Sequence, residues 1–138
     1  MSLDGRSHTV GMLIDRPLAD VYAFLQVPRN FSAWASGLGS GLSSVGGEWV
    51  AITEYGPVRV RFSEPNAFGV LDHHVFPASG ETVYVPMRVV EHGPGTVVLL
   101  TLLRQPDWTD EQLARDIAWV ESDLQTLKHL LERDGSRG

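Results

Sequence analysis

The chain has 138 residues, a net charge of −6, 43% apolar residues and no cysteine. Length and apolar content suit one domain, residues 1–138, whose core needs neither a disulfide nor a structural metal. The missing thiols exclude disulfides, thiol catalysis and thiolate metal sites, and the negative charge speaks against nonspecific binding to nucleic acid or anionic membranes.

The apolar pattern of residues 8–14 predicts a first strand. Asp15-Arg16-Pro17 then opens a helix with Pro17 at its first position, and Leu18, Val21, Tyr22 and Leu25 form its buried face. Pro28 ends that helix and starts a second short one through Phe31 and Trp34. Residues 37–47 are rich in Gly and Ser and predict a loop, a weak strand at 42–45 and a turn at Gly46-Gly47. Strands follow at 49–55, 58–63, 68–76, 82–91 and 96–104. Turns are expected between them at Gly56-Pro57, Pro65-Asn66, Ala78-Ser79-Gly80 and Gly93-Pro94-Gly95. Turn signals at roughly ten-residue spacing mark an antiparallel meander.

The last segment is a helix from Thr109 to about Arg133. Leu113, Ile117, Val120, Leu124, Leu127 and Leu131 recur in steps of three and four, which places them on one stripe. At ~1.5 Å per residue it is roughly 35 Å long. Thr109 and Gln112 fit a capping box, and Gly135 is the expected stop. A helix with one apolar face must bury it, and the strands before it supply the partner. No run reaches the ~20 apolar residues of a membrane span, and the N-terminus lacks the apolar core of a signal peptide. A cytoplasmic protein with no membrane span is the expectation.

The order is strand, two short helices, six or so strands, one long helix. With the run Ile14-Asp15-Arg16-Pro17-Leu18-Ala19-Asp20-Val21-Tyr22-Ala23-Phe24-Leu25, the aromatics Phe31 and Trp34, the strand segment Gly69–His73 and the terminal helix, the chain resembles the START and Bet v 1-like helix-grip superfamily, polyketide cyclases and dehydrases included. The resemblance implies an α+β fold in which a curved antiparallel sheet of about six to seven strands wraps the long helix. It also implies a cavity between them for a small hydrophobic or aromatic ligand, and it carries no common catalytic residue or cofactor.

Within that frame Phe31, Trp34, Tyr55, Phe62, Met87 and Leu124 are the expected ligand-binding residues, with Trp49 and Tyr84 as further aromatic candidates. Asp72, His73 and His74 are the densest polar cluster in an apolar strand. Alternation puts Asp72 and His74 on one face and His73 on the other. If the first pair faces inward, Asp72 would orient His74 as a general base for a cyclase or dehydratase. The flanking residues do not decide the face. Two histidines adjacent on a strand cannot chelate one ion, so no metal is expected. Arg59 and Arg61 alternate with Val58, Val60 and Phe62 and read as a solvated face, with anion clamps as the sharper alternative. Trp119 lies off the helix stripe and reads as either a homodimer contact or a second packing surface against the strand rim. The segment 37–42 nearly matches a dinucleotide fingerprint, but Leu42 replaces the third glycine and no βαβ unit surrounds it. A lid over the cavity is the functional reading of that loop, a plain connector the other.

Three functions remain open: a small-ligand binder, a cofactor-independent cyclase or dehydratase, and a co-chaperone-like interaction module with a filled cavity.

Overall fold

A computed structural model describes residues 7–36, 42–53, 56–77, 80 and 82–135. Strand β1 (Ser7–Ile14) leads to helix α1 (Leu18–Leu25) and a 3-10 helix (Pro28–Ala33). Strands β2 (Leu42–Val45), β3 (Glu48–Thr53), β4 (Gly56–Phe62), β5 (His73–Phe76), β6 (Val83–Val85), β7 (Met87–His92) and β8 (Gly95–Leu103) follow, and helix α2 (Asp110–Gly135) closes the chain. All strand pairings are antiparallel, in the orders β2-β3-β4-β5-β6 and β1-β8-β7. This is the α+β helix-grip arrangement.

The expected strand at 82–91 is broken at Pro86, which is why the strands number eight among the described residues rather than six to seven. Proline has no N–H to give a ladder. At this point the chain leaves β5 as its neighbour and joins β8, so the break is where one set of strands passes into the other. The Pro86 carbonyl still accepts the Thr101 N–H at 2.9 Å, which stitches the junction to β8.

The strand expected at 68–76 is shortened to His73–Phe76. The cause is Asn66, whose side-chain Oδ1 accepts the N–H groups of Phe68 and Val70 and whose Nδ2 donates to the Glu64 and Val70 carbonyls. A side chain that satisfies the backbone locally competes with a ladder. Leu71 N–H instead donates to Met87 O and Val89 N–H to Gly69 O, so this segment leans on β7. Gly56-Pro57, expected as a turn, begins β4, with Gly56 opposite Thr53 and Pro57 opposite Ile52. Pro17, expected at the first helical position, is the N-cap of α1, with φ −61° and ψ 150°. Its locked φ serves an extended residue as well as a helical one, and its carbonyl accepts the Asp20 and Val21 N–H groups.

Helix α2 buries its predicted stripe. Leu124 and Leu127 are fully buried, Leu113 and Leu131 nearly so, and Ile117 and Val120 partly. Burying each leucine contributes about 2 kcal/mol. Thr109 Oγ1 accepts the Gln112 N–H at 3.0 Å, which satisfies one free donor of the first turn. The far end is tied to β1 and its following turn by polar contacts: Lys128 Nζ donates to Leu13 O, Asp15 N–H to Glu132 Oε2, and Arg16 Nη1 to Leu131 O. No described helix is long and apolar enough to cross a membrane.

Candidate functional site

Cross-strand register decides what faces the helix. Val60 lies opposite Val75, and His73 lies between Phe62 on β4 and Val85 on β5's other neighbour, β6. Directly opposed residues share a face of the sheet. Val60 is buried and in the core, so that face is the inner one and His73 belongs to it.

Between this face and α2 lies a cavity of about 230 Å³. Its sheet wall is Val60, His73, Val75 and Val85 with Leu100 and Leu102 of β8; Phe31, Trp34 and Ala35 close one side, and Val120 and Asp123 of α2 close the other. Phe31 and Trp34 stack at 4.7 Å because a 3-10 helix has three residues per turn and brings i and i+3 into line.

His73 is 6% exposed. Its ring meets the Phe31 ring edge-on at 5.0 Å and lies 5.8 Å from the Phe62 ring. Its Nδ1 lies 3.3 Å from the Leu71 carbonyl. A carbonyl only accepts, so Nδ1 carries the proton and Nε2 the lone pair. Burial disfavours the imidazolium and pulls the ring down to about 4, so it is neutral at pH 7.

Asp123 is the second ionisable group of the wall. Ser36 donates to its Oδ1 from both backbone N–H (3.3 Å) and hydroxyl (2.8 Å), and the indole N–H of Trp119 donates in turn to Ser36 Oγ. Desolvation raises the Asp123 carboxyl above the ordinary aspartate value, against the pull of the Ser36 bonds. Trp119, 47% exposed, thus anchors the end of the 3-10 helix to α2.

Of the ligand-binding residues expected from sequence, Phe31 and Trp34 line the cavity. Phe62 and Met87 border a neighbouring void of about 10 Å³, room for about one water. Leu124 is sealed in the core at 0% exposure and is not part of the cavity wall. Tyr55 and the loop 37–41 lie outside the described residues. Trp49 packs on the core edge under the Arg29 guanidinium, 5.5 Å from the ring.

The expected Asp72–His74 pair sits elsewhere. Arg88 grips the Asp72 carboxylate through Nε (2.9 Å) and Nη2 (2.8 Å), Tyr84 Oη donates to it at 2.6 Å, and the Met87 N–H at 2.9 Å. The Arg88 bonds, with those of Tyr84 and Met87, hold the Asp72 carboxyl down to about 2. His74 stacks on Tyr84 at 4.8 Å and near Phe76 at 6.5 Å. Arg59 and Arg61 lie over Phe76 at 5.0 and 5.4 Å, and Arg59 pairs with Glu48 at 3.1 Å. These side chains make a cation–aromatic ladder on the outer face. This strand turns His73 and Val75, not Asp72 and His74, to the cavity.

Sequence reasoning missed Asp123 as a site residue. Val120, Asp123 and Leu127 follow each other at steps of three and four, so the signal was a carboxylate written into the rim of the apolar stripe.

The sequence matches no protein-family model and no curated protein. Solved structures are similar in shape. DynU16, of the dynemicin biosynthetic locus, is 14% identical with a TM-score of 0.68, over 92% of this chain and 47% of that one. The chain thus spans about half the length of DynU16. The Aha1 dimer of Colwellia psychrerythraea gives 16% identity and a TM-score of 0.69, over 91% of this chain and 96% of that one. A START superfamily protein of Mycobacterium smegmatis gives 12% and 0.67, over 94% and 99%. The chain has the START and Bet v 1-like fold.

Proposed function

We propose that this protein binds a small apolar molecule, ring-shaped or aromatic, in the cavity between the sheet and α2. The observation that carries the reading is a space of about 230 Å³ whose wall is apolar apart from His73, Asp123 and the indole nitrogen of Trp34. Apolar walls with a few convergent polar groups are what such ligands need. The size bounds the ligand. A cavity of ~150 Å³ takes a benzene, and drug-sized sites start at about 300 Å³. One substituted ring, or two small fused rings, fits between those limits.

Binding is favoured over the acid–base reading of Asp72 and His74, because Asp72 commits its carboxylate to Arg88, Tyr84 and the Met87 amide. A carboxyl held at about 2 is a weak base. The open space also argues against an interaction module with a filled cavity.

The test is saturation-transfer NMR with p-xylene, p-cresol and indole. Saturable binding of at least one, weakened by the cavity-filling substitution Ala35→Leu, is expected. No binding by any of the three, in a protein that thermal denaturation shows to be folded, would overturn the reading.

A further inference from the structure

We infer that the cavity selects ligands carrying a hydroxyl on the ring, a phenol-type group that donates its proton to Nε2 of His73. This rests on the binding reading above and names the ligand class.

The argument starts from the imidazole. Nδ1 is engaged by the Leu71 carbonyl. Nε2 has no protein partner among the described residues. Yet no buried side-chain nitrogen or oxygen of the described residues lacks a partner, so Nε2 is not sealed off. His73 is 6% exposed and lines the apolar cavity, and the void beside it is lined by other residues. Among the described cavities His73 lines this one alone, so the lone pair of Nε2 is assigned to it.

The protonation state fixes the sense of the bond. Burial keeps the ring neutral at pH 7, so Nε2 offers a lone pair and nothing to donate. Asp123 offers acceptors as well, with both Ser36 donors placed on Oδ1. Trp34 is a wall residue whose indole carries an N–H, a donor beside the His73 Nδ1–H that the Leu71 carbonyl engages. A hydroxyl donates and accepts, so it answers both kinds of group. A methyl answers neither, and an ether or ketone leaves Nε2 unpaired. An unpaired polar group in an occupied, dry cavity weakens binding, which gives the site its preference.

The plain alternative makes the opposite forecast. In a dry apolar cavity p-xylene binds better than p-cresol, because the phenol must shed water from its hydroxyl for no return. The two molecules have nearly the same shape, so the pair isolates the hydroxyl.

The test is calorimetric titration of both with the full chain at pH 7.5, followed by ¹⁵N NMR of His73. The expected result is a p-cresol affinity at least tenfold above that of p-xylene. The Nε2 resonance should shift with p-cresol and stay in place with p-xylene. His73→Phe should reverse the order while p-xylene still binds. Equal or tighter binding of p-xylene to the unmodified protein would overturn the inference and leave the binding reading standing. Failure of both ligands to bind would overturn both. If His73→Phe does not fold, the Nε2 shift in the unmodified protein decides alone.

Discussion

Arg88 and Asp72 form a two-pronged ion pair, Nε to Oδ1 at 2.9 Å and Nη2 to Oδ2 at 2.8 Å, that fastens β7 to the residue entering β5. Two parallel N–H···O bonds fix geometry as well as charge. Asp72 also accepts the Met87 amide of the Pro86 junction, so the carboxylate holds the sheet together where its strand order changes partners.

That role predicts a pH dependence of known sign. The folded carboxyl, at about 2, lies below its ordinary 3.8. Its contribution to stability is fully present above pH ~4 and is lost as pH falls through ~2. Asp72→Asn should cost about 1–2 kcal/mol at pH 7, a figure reduced for the half-exposed Arg88. The difference between variant and parent should shrink towards zero near pH 2. Urea denaturation at both values checks this, and a constant difference would contradict it.

His73 predicts a second, higher window. Its folded value of about 4 lies below the ordinary 6.5, so the unfolded chain binds the proton better. Stability therefore falls as pH drops from 6.5 to 4 and is unaffected above. Replacing the ring with one that cannot ionise removes that slope. Between pH 7.5 and pH 5 the stability of His73→Phe relative to the parent should rise by about 2 kcal/mol. Parallel curves for the two proteins would show that the ring is not held neutral.

The two histidine faces illustrate what sequence conveys and what it does not. The stripe of α2 was legible because a period of 3.6 leaves one face apolar, and Leu124, Leu127 and Leu131 are buried as expected. The start at Pro17 and Pro28, the turn at Gly46-Gly47 and strand β2 were legible from local chemistry too. Strand β5 was not, since Leu71, His73 and Val75 compete with Val70, His74 and Phe76 for the same face. Only the register against β4 settles it, through the opposition of His73 to Phe62. Register is a long-range property that no local pattern encodes. The same holds for Asn66 and Pro86, whose effect on strand length depends on neighbours distant in sequence.

A contrast between two glycines tests the packing of that junction. Gly69 has φ +71°, and a Cβ there would stand 2.5 Å from the Val89 carbonyl oxygen, the atom of a fixed strand. Gly46 has φ +58° with nothing within 4 Å. Gly46→Ala should cost only the left-handed strain, about 1 kcal/mol. Gly69→Ala adds a backbone clash and should cost ~3 kcal/mol or more. Thermal denaturation of the two variants side by side is sufficient, and equal losses would place β7 farther from Gly69 than the structure does.

Asp123 behaves in the opposite sense to Asp72. Desolvation raises its carboxyl, so the folded state holds the proton better than the unfolded chain does and ionisation at neutral pH opposes folding. Its stability effect thus appears as pH falls through the raised value and is absent well above it. An amide in the same place keeps an acceptor for the Ser36 donors without the buried charge. Asp123→Asn should therefore be neutral or stabilising at pH 7. At pH 3 the advantage should disappear. The same variant should bind p-cresol about as tightly as the parent protein, because the phenol's single proton goes to Nε2 of His73. Unfolding curves at the two pH values and one titration decide it. A loss of stability at pH 7 beyond ~1 kcal/mol would make Asp123 a structural anchor for Ser36 instead.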